Sequence, residues 1–152
     1  MLRVALGGPM ASGKSTVGRA LSVRMGGPFV DLDAALGNIP ALFAAHGEPG
    51  FRELETAALA HAVCSNGVLA LGGGTLTREV NRGLLAGWTV VILTASRETL
   101  RARLAASSGR PLADGWEQLL DERAAIWAAY GPSVSTDSLD VERVVDEVLL
   151  RC

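Results

Sequence analysis

Short apolar runs alternate with longer stretches of helical periodicity along the whole chain. Residues 2–6, 29–32, 68–71, 89–93 and, more faintly, 133–136 carry the apolar, β-branched character of strands. Helical spacing marks residues 14–25, 50–65, 77–86, 97–106, 116–130 and 141–150. This alternation predicts an α/β fold: a doubly wound parallel five-stranded sheet flanked by helices. The first four strands are apolar throughout, so helices should cover both of their faces.

Punctuation supports the same division. Gly26-Gly27-Pro28 should stop the first long helix and open the second strand, and Ser96 ahead of Arg97-Glu98 is a helix cap with an acidic first turn. Two segments resist regular structure: residues 37–49, with Pro40, Gly47 and Pro49, and residues 107–115, with Gly109 and Pro111. In a compact domain such segments suit a substrate-contacting excursion, here within about residues 33–60, and a lid over about 107–115. At 152 residues the chain has the length of one domain, so residues 1–152 are expected to form a single unit.

Composition narrows the partners. A chain that is 49% hydrophobic and 20% charged has ample material for a core, and a net charge of −2 supplies no basic surface for nucleic acid. The apolar runs are strand-sized, far below the roughly 20 residues a bilayer requires, and the amino-terminal stretch meets Gly7 and Gly8 without a long apolar region. We therefore expect no membrane partner and a cytoplasmic location. Cys64 and Cys152 lack metal-site spacing. Of 14 basic residues, Lys14 alone is lysine.

That lysine stands in Gly8-Pro9-Met10-Ala11-Ser12-Gly13-Lys14-Ser15, which fits the phosphate-binding pattern G-x-x-x-x-G-K-[ST] between a strand and a helix. The glycines let backbone N–H groups turn toward phosphate oxygens, and the emerging helix adds the positive end of its dipole. Lys14 can reach the β and γ phosphates, and the Ser15 hydroxyl can ligate Mg²⁺. A nucleoside triphosphate is the expected ligand.

The remaining candidates concern the fate of the γ-phosphate. The third strand ends in Gly72-Gly73-Gly74 rather than in the metal-binding Asp of hydrolytic switches. Asp31 and Asp33 flank Leu32 at the end of the second strand, so period-two alternation points both to one side, at the crevice where parallel strands end. They suit a site that uses Mg²⁺ and an acceptor hydroxyl; a solvated strand end or a helix cap is the alternative. Arg52 and Glu55 share a helix face, where they either pair with each other or serve a ligand. Glycines at 72–74 either admit close backbone approach or form a plain turn. Arg110 in its flexible loop can fold over phosphates, and Arg123 can be a surface ion-pair residue.

In order and approximate spacing these pieces resemble shikimate kinase, a small P-loop kinase of the nucleoside-monophosphate-kinase type. The resemblance spans nearly the whole chain: residues 8–19, Asp31-Leu32-Asp33, Ile39-Pro40 with Phe43, Gly47-Glu48 with residues 51–55, the triplet 72–74, Arg110-Pro111-Leu112 and Arg123. It implies ATP-dependent phosphorylation of the 3-hydroxyl of shikimate, within aromatic amino-acid biosynthesis, by a monomer that uses ATP and Mg²⁺.

Carried onto matching positions, it gives Gly8, Met10, Ala11, Ser12, Gly13, Lys14, Ser15, Thr16 and Arg110 to the nucleotide. Lys14, Asp33 and Arg110 become catalytic, with Lys14 and Arg110 on the transferring phosphoryl group and Asp33 on the acceptor hydroxyl. Ser15 and Asp31 serve the metal, and Asp33, Arg52, Gly73, Gly74 and Arg123 hold the acceptor. The sequence departs from the family in three places: a shorter interval from Asp33 to Arg52, Ala125 and Trp127 where Pro and Tyr are common, and Ser135 and Val141 in the adenine-contacting stretch. Two other readings are a kinase for another small hydroxy acid of the gluconate type, and a nucleotide-binding module that regulates a partner. The joint presence of Asp33, Arg52 and Arg123 favours shikimate, and the lid arginine with the carboxylate pair favours an enzyme.

Overall fold

The computed structural model describes residues 2–107, 115–138 and 140–152. Five strands form one sheet: β1 (Arg3–Gly7), β2 (Phe29–Asp31), β3 (Gly67–Ala70), β4 (Thr89–Thr94) and β5 (Val134–Ser135). Their order is β2-β3-β1-β4-β5, and each pairing is parallel. The connecting helices are α1 (Lys14–Met25), α2 (Leu32–Leu36), α3 (Ile39–Ala62), α4 (Glu79–Leu84), α5 (Arg97–Ala106), α6 (Trp116–Ala128) and α7 (Val141–Leu149). The expected α/β architecture is thus the observed one. Among the described residues no helix is long and apolar enough to cross a membrane.

Alternation along the central strand explains the two cores. Val4 and Leu6 of β1 face one way and pack with Val17 and Leu21 of α1 and Val144, Val145 and Val148 of α7. Ala5 faces the other way, among Leu32, Leu59, Leu69, Leu71 and Ile92. All three β1 residues are fully buried, so truncating Leu6 to Ala would cost about 2–5 kcal/mol. Strand order also fixes where a ligand can lie. The chain leaves β1 to build one half of the sheet on β3 and the other on β4, and the carboxyl end of β1 opens at that divergence.

Several boundaries match their local chemistry. Gly26 ends α1 in the left-handed conformation (φ 66°), with its N–H on the Val23 carbonyl and that of Gly27 on the Ser22 carbonyl, the paired bonds of a Schellman cap. Ser96 caps α5 by accepting from the Thr99 amide.

Four expectations require correction. Strand β2 is only half-buried at each position, because it lies at the sheet edge and pairs with β3 alone. It also ends at Asp31, not at residue 32, so strand alternation does not orient Asp31 and Asp33: Asp31 is the N-cap of α2 and Asp33 lies in that helix's first turn. Residues 39–46 are helical rather than irregular. Pro40 sits in the first turn of α3, where a missing N–H costs nothing, and the break is confined to Gly47 (φ 66°, ψ 177°), after which Pro49 begins the next helical stretch. Finally, residues 77–86 do not form one helix. A 3₁₀ turn (Thr75–Thr77) precedes extended Arg78 and α4, and side chains satisfy the turn's carbonyls: Asn81 Nδ2 donates to Thr75 O at 2.9 Å and Arg82 Nη1 to Leu76 O at 2.7 Å.

Candidate active site

Strand β1 delivers the chain into a loop whose shape depends on two glycines. Gly8 has φ +127°, and a Cβ there would lie 2.1 Å from the Leu93 carbonyl oxygen, so no other residue fits. Gly13 (φ 99°) precedes α1 without any side-chain cap. The first helical bond runs from Val17 N to Gly13 O at 2.9 Å, which leaves the amides of Lys14, Ser15 and Thr16 outside the ladder at the positive end of the helix dipole. This is an anion-binding terminus. Ala11 completes the loop with φ 63°, a conformation that costs an L-residue about 1–2 kcal/mol. Ser12 is fully buried and its Oγ has no hydrogen-bond partner among the described residues.

Lys14 curls back across this loop. Its Nζ donates to the Gly8 and Pro9 carbonyls at 2.8 Å each. Burial pushes its pKa down to about 8, against the attraction of Asp33 and then Asp31, with Arg123 adding repulsion. The ammonium therefore sits in a space that needs more negative charge than the protein provides.

The two carboxylates meet the loop through α2. Asp31 uses both oxygens: Oδ1 accepts from the Ala34 amide at 3.2 Å as the helix cap, and Oδ2 accepts from the Ser15 hydroxyl. The cap reading of Asp31 is thus realised on one oxygen, while the other faces the Ser15 hydroxyl. Asp33 faces the end of β3, where its Oδ1 lies 2.9 Å from the position a Gly72 Cβ would occupy.

The glycine triplet is the meeting point. A Cβ on Gly74 would stand 2.6–2.9 Å from the Arg52 guanidinium, and one on Gly73 would lie 3.4 Å from Arg123 Nη1 and 3.5 Å from Met10 Cγ. Arg52 does pair with Glu55, Nη1 to Oε1 at 2.9 Å, and Glu55 is buried with Thr75 Oγ1 donating to its other oxygen at 3.1 Å. Pairing and facing the triplet are compatible, since a guanidinium offers five N–H donors. Arg123 makes no ion pair among the described residues. Its pKa is lowered by burial and then by the nearby Arg52 charge. Two guanidiniums that repel each other beside a backbone with no side chains form a receptacle for an anionic group.

The chain matches the family model described as shikimate kinase over residues 10–152. The shikimate kinase of Pseudomonas syringae pv. syringae is 39% identical over 165 residues, covering 99% of this chain and 96% of that protein. The chain belongs to the shikimate kinase family. Among solved structures, the shikimate kinase of Acinetobacter baumannii in complex with shikimate superposes with a TM-score of 0.88 at 31% identity, over 98% of this chain and 91% of that one. That of Bacteroides thetaiotaomicron does so with a TM-score of 0.86 at 29% identity, over 99% of both chains.

In this shikimate kinase family member, the structure brings Lys14, Ser15, Asp31, Asp33, Arg52, Gly73, Gly74 and Arg123 to one end of the sheet. Arg110 and the rest of residues 108–114 of the expected lid lie outside the described residues. Sequence reasoning missed the residues that support this set. Arg78 donates to the Arg52 carbonyl and to Thr56 Oγ1, and Thr56 donates to Asn81, fastening α3 to the triplet's turn. Arg103 and Thr136 touch the phosphate loop from behind. None of these belongs to a spaced motif, and Asn81 stands among charged residues, Arg78, Glu79 and Arg82, that give it no signal in the sequence.

Proposed function

We propose that this chain transfers the γ-phosphoryl group of ATP to the 3-hydroxyl of shikimate, giving ADP and shikimate 3-phosphate. The observation that carries the reading is the glycine triplet, whose lack of side chains lets Asp33 approach at Gly72, Arg123 and Met10 of the phosphate loop at Gly73, and Arg52 at Gly74. An acceptor with a hydroxyl at one side and a carboxylate at the other suits that arrangement, and shikimate has this form.

In this reading Arg52 and Arg123 hold the carboxylate while Asp33 orients the acceptor hydroxyl. The hydroxyl oxygen bonds to the γ-phosphorus as the bond to the β–γ bridging oxygen breaks, and the hydroxyl proton passes to the Asp33 carboxylate and then to water. Lys14 stabilises charge on the phosphoryl oxygens, as phosphoryl transfer depends chiefly on positioning and electrostatics. Arg110 is assigned beside it by family resemblance. Ser15 and Asp31 place a hydroxyl and a carboxylate together, oxygen donors that suit Mg²⁺ arriving with the nucleotide. The ion, when bound, would neutralise phosphate charge. Residues 33–60 act as the acceptor-binding excursion and 107–115 as the lid within one domain, and one chain supplies every proposed contact, which supports a monomer. Two exposed free cysteines support the reducing cytoplasm.

The test is incubation with MgATP and millimolar shikimate, with ADP measured and the product weighed by mass spectrometry. We expect shikimate-dependent ADP and shikimate 3-phosphate. ATP consumption with a gluconate-type acid but not with shikimate would overturn the acceptor, and nucleotide binding with no transfer to either would overturn the enzyme.

A further inference from the structure

Arg78 grips the helix that carries an acceptor-site arginine. It stands in extended backbone (φ −94°, ψ 130°) between the 3₁₀ turn that follows the glycine triplet and α4. Its Nη1 donates to the Arg52 carbonyl at 2.9 Å and to Thr56 Oγ1 at 2.8 Å, and its Nη2 pairs with Glu53 Oε1 at 2.7 Å. Thr56 passes the bond on. Its hydroxyl donates to Asn81 Oδ1 at 2.8 Å, and Asn81, fully buried, donates through Nδ2 to the Thr75 carbonyl at 2.9 Å.

The other end of Arg52 returns to the same segment. Its guanidinium pairs with Glu55, whose second oxygen accepts from the Thr75 hydroxyl at 3.1 Å. Arg52 is thus held at its carbonyl by Arg78 and at its side chain, through Glu55, by Thr75. Thr77 ties that segment to the triplet, its Oγ1 donating to the Gly74 carbonyl at 2.6 Å. The ring of contacts closes where the Arg52 guanidinium lies against Gly74.

Stability alone does not ask for a guanidinium on the Arg52 carbonyl. A carbonyl in a helix interior already accepts from the amide four residues on, and the pair with Glu53, whose side chain is 72% exposed, contributes little. What the added donor supplies is a fixed spacing between α3 and the glycine turn. A long side chain is aimed by its backbone and its tip together, so this spacing decides where the Arg52 guanidinium stands over Gly74.

We propose that Arg78, acting with Thr56, is a positioning residue for the acceptor's carboxylate, setting the place of Arg52 without touching the acceptor itself. The inference rests on the reading of Arg52 and Arg123 as the shikimate carboxylate site. It requires that loss of Arg78 weaken recognition of the carboxylate and leave the rest of the acceptor and the nucleotide alone.

The experiment measures dissociation constants of shikimate and of its uncharged methyl ester, with steady-state constants beside them, for the intact protein and for Arg78→Met, Glu53→Gln, Thr56→Val and Thr56→Ser. The unmodified protein should prefer the acid over the ester by about 10–100-fold, the scale of a charge-assisted contact. Arg78→Met should cut that preference about tenfold by weakening shikimate and not the ester. It should raise KM for shikimate and leave kcat and KM for MgATP in place. Crossing a protein variant with a ligand variant in this way cancels any general loosening of the pocket. Thr56→Val should reduce the preference too, and Thr56→Ser, which keeps the hydroxyl, should restore it, while Glu53→Gln on the exposed arm should not change it. A lowered melting temperature with the preference intact would overturn the proposal, because Arg78 would then only brace the fold. So would equal weakening of acid and ester. Should Arg78→Met fail to fold, the two Thr56 variants decide on the same readout. An unmodified protein that binds acid and ester equally would instead refute the carboxylate reading beneath it.

Discussion

At the scale of single residues, the electrostatics of the two ligand ends lead to opposite experiments. Lys14 has a pKa lowered to about 8 in the free protein, and phosphate charge will raise it again. Near pH 8.5 ATP binding should therefore take up a proton, seen as a calorimetric enthalpy that varies with buffer ionisation, and ATP affinity should fall as pH rises above 8. Folding shows the matching sign: the unfolded lysine, at the ordinary 10.5, holds its proton more tightly than the folded one. The ligand-free protein should gain stability relative to Lys14→Met between about pH 8 and 10.5. Equal pH dependence of the two proteins in denaturant melts would contradict this.

At the acceptor end, the two arginines differ in what they leave behind. Removing Arg52 strands Glu55, which is 1% exposed, and a broken buried pair costs about 3–5 kcal/mol. Removing Arg123, which has no such partner among the described residues, relieves repulsion with Arg52. Arg123→Met should thus raise KM for shikimate by roughly 10–100-fold, the worth of a charge-assisted contact, without lowering the melting temperature, while Arg52→Met should lose both. Asp33→Asn should instead lower kcat by about 10²–10⁴-fold, because an amide cannot accept the proton. Gly74→Ala is milder: the new methyl group pushes aside only the end of the Arg52 side chain, so KM for shikimate should rise while the fold survives.

At the scale of elements, α3 shows how a site is aimed by a defect. Gly47 breaks the helix in a conformation that essentially only glycine adopts, and Phe43 and Phe51 stack across the break at 4.3 Å between centroids, one residue ahead of Arg52. Gly47→Ala should destabilise the protein by about 1–3 kcal/mol in urea titrations and raise KM for shikimate. An unchanged midpoint and KM would mean that the kink does not set the direction of Arg52. This element also marks the limit of sequence reading. Pro40, Gly47 and Pro49 were legible as breakers, yet two prolines fall in first turns where they break nothing, a distinction that depends on where the helix begins. Asp31 shows the same limit: the sequence offered a ligand site and a helix cap as alternatives, and only the fold shows that Asp31 rather than Asp33 caps α2.

For the whole molecule, strand and helix alternation and the phosphate-loop motif sufficed to expect the sheet, because both depend on short-range spacing. Strand order, and with it the edge exposure of β2, depends on contacts far apart in sequence. The supports at Arg103, Thr136, Arg78 and Asn81 were illegible for the same reason: each joins segments with no shared motif, as Arg103 joins α5 to residue 11. Between Asp33 and Arg52, α2 meets α3 through Gly37 and Asn38 alone, and both residues lie on helices.

Lys14 also has a use to the experimenter. It is the one lysine among 152 residues, and a pKa near 8 leaves a large share of its amine unprotonated and nucleophilic at mildly alkaline pH. Apart from the chain's terminal amine and the thiols of Cys64 and Cys152, which form labile thioesters, Lys14 is the one side-chain amine open to acylation, located inside the phosphate loop. Small acylating reagents should add one ATP-protectable group, and the mass of the intact protein would then read the fraction of loops occupied directly, without a reporter dye or a coupled enzyme.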